Sequence, residues 1–331
     1  MRDVELICLD EDDLMHPNTG ETNFNESAYF NFFDPTRRLG GFMRLGNRPN
    51  EGRAEMTLCL YLPDGRVAFM FKRSEIGGND TFDAGGMRFE VRTPMRKHGL
   101  HYRGSCLLLD RPLDLLDPRA AFTANPYGTA ELTLTYDAVS RVHGGEPRVR
   151  QDGGWVSANL EKKGEEFAKG HLEQHGRAHG MLTIDGTKWE IDGFGLRDRS
   201  WGPRYWQAPD HYRWLTMNFG AEAGVAAALT VQRDGRRRQG GYLYRPGSES
   251  EHIRKVEIET EHTGDEKLHA AVHVTLTLAD GSIERIDGRV LAMVPLRNRR
   301  EGVTTRIAEG LTAWRWGDRV GYGWSEYLDH V

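Results

Sequence analysis

The sequence is poor in the features that mark several large classes of protein. It has three cysteines in 331 residues, Cys8, Cys59 and Cys106, far apart and without a C-x-x-C pair. That excludes a disulfide scaffold and a cysteine-rich zinc module. Cys59 and Cys106 lie in apolar, strand-like runs and read as buried thiols. No run approaches the ~18 apolar residues of a membrane-spanning helix, and no basic segment leading into an apolar one opens the chain. No membrane span and no signal peptide are therefore expected, and a cytoplasmic location is the simplest reading. Excess charge of one sign is lacking too. The 44 basic and 49 acidic side chains leave a net charge of −5, which argues against nucleic acid as a partner. The basic clusters Arg236, Arg237, Arg238 and residues 297–300 sit beside turn residues and read as solvated loops. There is no G-x-x-x-x-G-K-[ST] loop, no G-x-G-x-x-G after a strand and no G-x-S-x-G elbow, so no cofactor is expected and serine hydrolysis lacks support.

Helical periodicity is also scarce. Residues 157–168, with Ser157 as cap, are the best candidate, and 114–122 could form a short turn of helix. What fills the chain instead is strand grammar punctuated by Asp-Gly and related turns: 40–45, 54–62, 66–72, 82–91, 100–109, 131–138, 180–184 and 188–193. It starts again after Pro209 with 212–219, 225–233, 239–244, 253–261, 268–278 and 282–293. In 268–278 the residues Leu268, Val272, Val274, Leu276 and Leu278 alternate with polar ones, which implies one buried face. Residues 310–331, rich in Trp and Tyr, are expected to close a sheet. The pattern predicts an all-β fold of two tandem barrel or sandwich units with few short helices. Residues 1–19 would be an acidic N-terminal arm, 20–200 a first β domain and 201–331 a second.

Residues 179–208 organise this reading. Their first half is a hairpin turning at Asp185-Gly186. Their second half packs Arg197, Asp198, Arg199, Trp201, Arg204, Tyr205 and Trp206 into ten positions, too charged and aromatic for an ordinary connection. It is expected to line a site while crossing between the units. Asp198 sits amid Phe194, Trp201, Tyr205 and Trp206. A dry surrounding would raise its pKa and make it a general acid; pairing with Arg197, Arg199 or Arg204 would lower it and leave a structural anchor. Both outcomes stay open.

Other constellations are weaker. His171, His175 and His179 are spaced for one face of a regular element, but Gly170, Gly176 and Gly180 interrupt them, so no metal site is expected. His269 and His273 would share a strand face opposite the apolar one. Asp210 and His211 are adjacent, and on an extended chain neighbours point to opposite faces. Four of the eight Trp, Trp189, Trp201, Trp206 and Trp214, fall in one short span, which suits an aromatic-lined cavity in a barrel mouth or between two barrels.

The run Gly193-Phe194-Gly195-Leu196-Arg197-Asp198-Arg199-Ser200-Trp201-Gly202 resembles the G-x-x-x-x-D-x-x-W-G segment of the AttH/CrtC superfamily, and Glu26-Ser27-Ala28-Tyr29-Phe30 resembles its opening E-W-W-Y strand. These are two-domain, lipocalin-like proteins that include carotenoid 1,2-hydratases (hydroxyneurosporene synthases) and related cyclases, among them fungal decalin-forming Diels–Alderases. Leu196 stands where the hydratase pattern has Tyr, and Ser27 and Ala28 replace its two Trp. The resemblance implies lipocalin-like units and cofactor-independent hydration, isomerisation or cyclisation of an apolar terpenoid- or polyketide-like small molecule. Asp198 matches the acid that protonates an alkene before water traps the cation. Trp201, Trp206 and Tyr212 would shape the pocket, with Tyr29, Arg197, Arg204 and Trp214 as further substrate contacts. The competing classes are a non-catalytic carrier of hydrophobic ligands and an interaction protein without a pocket. The oligomeric state stays open.

Overall fold

The computed structural model describes residues 4–151, 153–158, 168–300 and 302–331. Thirteen strands form one sheet: β1 (Glu5–Ile7), β2 (Phe24–Asp34), β3 (Leu39–Arg48), β4 (Arg53–Tyr61), β5 (Val67–Glu75), β6 (Phe82–Ala84), β7 (Met87–Thr93), β8 (Lys97–Leu109), β9 (Tyr127–Ala138), β10 (His143–Gln151), β11 (Gly154–Ser157), β12 (Gly170–Ile184) and β13 (Thr187–Pro203). Within it β2, β3, β4, β5, β8, β9, β12 and β13 pair antiparallel in that order, and β13 returns to β2. They close a ring. A second ring follows: β14 (Pro209–Asn218), β15 (Gly224–Gln232), β16 (Arg237–Tyr244), β17 (Glu251–Thr263), β18 (Leu268–Leu278), β19 (Ile283–Arg300), β20 (Val303–Trp316) and β21 (Arg319–His330), with β21 pairing back on β14. The architecture is all-β and lipocalin-like. The one α-helix among the described residues, α1 (Pro118–Ala124), follows a 3-10 turn at Pro112–Leu116, where a short helical turn was expected.

Local chemistry explains where the strands differ from the pattern. Residues 82–91 are two strands, because Gly85 and Gly86 take φ of 66° and 91° and turn the chain back. Residues 297–300 belong to β19 and pair with β20 instead of forming a loop. The helix expected over 157–168 falls mostly on residues 159–167, outside the described residues; Ser157 itself ends β11. Part of the N-terminal arm is regular: β1 pairs with β10, and Asp10–Asp13 form a 3-10 turn.

Period-two alternation sends one face of each strand into its ring. Phe30, Phe32, Leu45, Leu58, Leu132 and Leu182 fill the first interior. Leu215, Val225, Val272, Val274, Leu276 and Trp314 fill the second. The outer walls meet: Tyr29, Phe42, Tyr61 and Phe69 of the first ring pack with Val294, Leu311 and Trp324 of the second. Asn31, fully buried, links the two. Its Oδ1 accepts from the Leu196 amide (2.8 Å) and its Nδ2 donates to Thr216 Oγ1 (3.4 Å).

The largest departure concerns the central segment. β13 is a single strand of 17 residues, so Asp198 lies within a strand and not on a crossing loop. Gly195 is required there, since a Cβ would come within 1.8 Å of the Asn31 carbonyl oxygen. Alternation then turns Arg197 and Arg199 inward, where the arm supplies their partners. Arg197 Nη1 donates to Asp13 Oδ1 (2.7 Å), and Asp13 Oδ2 also accepts from the Met95 amide (2.6 Å) and meets His98 Nε2 (2.9 Å). Arg199 pairs with Glu26 (2.8 Å) and donates to the Leu14 carbonyl.

This buried network makes a stability prediction. Burial works against the Asp13 charge, but the His98 hydrogen bond and the Arg197 charge outweigh it and hold the carboxyl well below the usual range. Asp13→Ala strands a buried guanidinium and should cost about 3–5 kcal/mol in urea denaturation at neutral pH. Because the folded pKa lies below the unfolded one, the contribution is present above about pH 4 and is lost on acidification. The gap between wild type and variant should therefore close below that pH. A gap that stays constant down to strongly acid pH would contradict the ionised Asp13–Arg197 pair.

Candidate active site

Neighbours in register project from the same face of a sheet. On the outer wall of the first ring, register places Glu173 (β12), Asp198 (β13), Tyr29 (β2) and Arg44 (β3) in one row. His171 and Ser200 form part of the next row. The facing wall of the second ring contributes Glu309 (β20), Glu326 (β21) and Trp214 (β14), again in one row. The walls touch: the Trp214 indole Nε1 donates to Glu173 Oε1 (2.5 Å) and its ring meets Tyr29 edge-on at 5.4 Å. The Tyr212 hydroxyl donates to Glu326. Residues 204–208 connect the rings beside this contact. There Arg204 Nη2 donates to Ser200 Oγ (2.9 Å), and Trp206 lies under two guanidinium groups, Arg204 at 5.1 Å and Arg44 at 5.7 Å.

The titratable groups divide into two sets. Burial opposes the charge on Asp198, but the charge and hydrogen bond of His171, with Arg204 and Arg44 further off, outweigh it and pull the carboxyl below its usual range. The His171 side chain is 46% exposed. Burial again opposes its charge, but Asp198 and Glu173 push its pKa up to about 9. The proton of this pair therefore rides on the imidazole. On the facing wall burial comes first and is not overcome. Glu309 is pushed well above the carboxylate range by desolvation and by Glu326, and Glu326 is raised by desolvation. Glu309 Oε2 has no hydrogen-bond partner in this buried setting. Two interacting carboxyls titrate as a pair, and both are pushed towards the protonated form. One wall thus offers an imidazolium–carboxylate pair and the other a carboxyl pair linked to a phenol, an arrangement suited to proton donation on one side and acceptance on the other.

Ligand atoms of His171, Glu173 and Asp198 lie within 4.8 Å of one another, so among the described residues these three could hold a metal ion. The geometry at hand commits them otherwise, His171 to Asp198 and Glu173 to Trp214. All three histidines of the 171–179 run do lie on β12, despite the intervening glycines, but they go to separate partners: His175 to Tyr242 (3.0 Å) and His179 to Asp137 (2.8 Å). His269 and His273 do not share a face. The ladder slips where β17 residues 261 and 262 meet β18, which turns His269 inward onto Ser325 and Tyr327 and leaves His273 outside with Asp287 and Glu261. Asp210 and His211 bond each other (2.8 Å), since the register also shifts between Pro209 and His211.

Of the residues expected at the site, the fold gathers Asp198, Tyr29, Arg204, Trp206, Tyr212 and Trp214. It does not bring Arg197 or Trp201 there. Both point into the first ring, Arg197 onto Asp13 and Trp201 in a stack with His16 at 4.1 Å. Odd-numbered positions of this part of β13 face in and Asp198 faces out, which the density of charge in the sequence conceals. His171 is recognised in the sequence only as part of a histidine run, and Glu173, Arg44, Glu309 and Glu326 are not singled out at all. The one trace of the last two is a lone glutamate in each of two apolar strand runs, Ile307-Ala308-Glu309-Gly310-Leu311 and Trp324-Ser325-Glu326-Tyr327-Leu328.

With this geometry in hand, the relatives can be compared. A protein of Nitrosomonas europaea described as AttH superposes with a TM-score of 0.59 at 14% identity, covering 98% of this chain and 96% of that one. Kievitone hydratase from Nectria haematococca gives 0.53 at 12%, covering 96% and 94%. CghA, solved with Sch210972, gives 0.51 at 14%, covering 94% and 88%. No curated protein sequence matches the chain. These likenesses show an AttH/CrtC-like fold. The family described as "Domain of unknown function (DUF7064)" matches residues 9–331, nearly the whole length, and the chain belongs to that family.

Proposed function

We propose that this protein is a hydratase-type enzyme acting on an apolar, terpenoid- or polyketide-like small molecule in the crevice between the two rings. The observation that carries this reading is the pair of proton-bearing groups on facing walls, His171–Asp198 and Glu309–Glu326 with Tyr212, amid Trp206, Trp214 and Tyr29. Kievitone hydratase and CghA, whose fold is shared, support it as analogues. His171, kept charged by Asp198, is the proton donor. Glu326, through Tyr212, takes up the proton lost by the adding water. Asp198 thus acts as the ion that loads the imidazole, and no bound cofactor enters these steps. Arg44 and Arg204 bear on the type of intermediate. Two guanidinium groups beside a free carbocation would repel it, whereas they stabilise negative charge developing on an oxygen. Hydration or isomerisation of a double bond conjugated to a carbonyl fits the site better than protonation of an isolated alkene.

The test begins with mass spectrometry of the apolar molecule that copurifies, followed by incubation in heavy-oxygen water. Incorporated label marks hydration; unchanged mass with altered retention marks isomerisation or cyclisation; a ligand returned unaltered under all conditions would leave only a carrier. Asp198→Asn should lower turnover by about a hundredfold or more while ligand affinity is kept, because the amide is nearly isosteric but cannot hold His171 charged. Turnover should also fall as pH rises through about 9, where His171 loses its proton. In Asp198→Asn that limb should move to lower pH. A limb that does not move would remove His171–Asp198 from the role of donor.

A further inference from the structure

Resting on the reading above, a cluster beside the same residues identifies the kind of molecule the site takes. We propose that Arg44, Arg204 and Asn25 form an oxyanion pocket, so that the ligand is an apolar molecule carrying an ionised oxygen acid, a carboxylate or an enolate, at one end.

The argument starts from groups whose hydrogen-bonding needs the protein does not meet. Arg44 Nη2 is buried and has no hydrogen-bond partner, and no carboxylate reaches ion-pair distance of this guanidinium among the described residues. Asn25 is 1% exposed, yet neither its Oδ1 nor its Nδ2 has a partner. Unmet polar groups of this kind are costly when buried and persist where something else uses them. The two are neighbours. A Cβ added at Gly46 would lie 2.8 Å from Arg44 Nη2 and 3.1 Å from Asn25 Oδ1, so the missing side chain of Gly46 is what lets the guanidinium lie along the sheet beside Asn25. Arg204 comes to the same place from the connecting segment and shares Trp206 with Arg44.

Two guanidinium groups over one indole repel each other. Burial first, and then the Arg44 charge, bring Arg204 down to about 10. With His171 pushed up to about 9 and Arg204 at about 10, both keep their charge at neutral pH. Of the carboxyls, only Asp198 is pulled towards its ionised form, while Glu173, Glu309 and Glu326 are pushed towards the neutral one. The unused Arg44 Nη2 donor, with Arg204 over the same indole, is the geometry an anionic oxygen would complete.

Two fluorescent probes with one skeleton test this: 8-anilinonaphthalene-1-sulfonate, an oxyanion, and N-phenyl-1-naphthylamine, which lacks the sulfonate. The wild-type protein should bind the anionic probe about tenfold or more tightly than the neutral one, the size expected of one charge-assisted hydrogen-bonded contact. Arg44→Met should abolish the preference by weakening only the anionic probe, and Arg44→Lys should retain part of it. Unchanged affinity for the neutral probe shows that the Met variant is folded. Equal binding of the two probes by wild type, or a preference that survives in Arg44→Met, overturns the oxyanion pocket and leaves an apolar crevice as proposed above. Binding of neither probe removes the apolar crevice itself and the oxyanion pocket with it.

Discussion

Two buried guanidinium groups set the terms for this fold. Arg197 and Arg199 stand on the inward face of β13, and a charge taken out of water is tolerated only with a paired anion and satisfied hydrogen bonds. Their anions come from two places, Asp13 on the arm and Glu26 on β2, so one requirement ties the N-terminus, β2 and β13 together. It also fixes register. A slip of one residue would carry both arginines outward and drive Asp198 into an apolar interior. The outward position of Asp198 is thus a consequence of what its neighbours need.

The crevice is built from walls that belong to different rings. Asp198, Glu173, Tyr29 and Arg44 are carried by one, Glu309, Glu326, Tyr212 and Trp214 by the other. Among the contacts that join them are the Trp214–Glu173 hydrogen bond, the Tyr29–Trp214 edge contact, the Tyr61–Glu309 hydrogen bond and the Asn31–Thr216 bridge. Each ring has its own buried apolar core, which backs the side chains on its outer surface. The opposed tendencies of the carboxyls follow from partners rather than from depth. Asp198 has a histidine to share its proton with, whereas Glu309 and Glu326 face each other.

Much of the fold was legible because a half-buried strand writes itself with period two. The alternation of Leu268, Val272, Val274, Leu276 and Leu278 marked β18 to its ends. The same rule, not applied to residues 194–203, hid the most important strand. Arginines on either side of an aspartate read as a solvated or site-lining loop when counted, and as two faces of a strand when alternated. Asp198 could be singled out from its aromatic surroundings and its resemblance to a known segment. Arg44, Glu309 and Glu326 could not, because only tertiary folding brings positions so distant in sequence to one crevice. The barrel-mouth cavity was a reasonable reading of so many Trp. In the structure Trp189 and Trp314 serve the cores, Trp201 stacks on the arm, and only Trp206 and Trp214 reach the site.

The pairing of β2 with β13 also governs how the chain can be made. β2 finds β3 on one side as soon as both have been synthesised, but its other edge waits for residues 194–203. Throughout that interval a growing chain carries an unpaired ladder edge bearing Phe30, Phe32 and Phe33, next to an arm whose anions have no arginines yet to meet. Contacts of such long sequence separation form slowly, and open strand edges invite pairing with other chains. The ring that holds Asp198 in place is therefore also the part of the molecule most dependent on protection during synthesis.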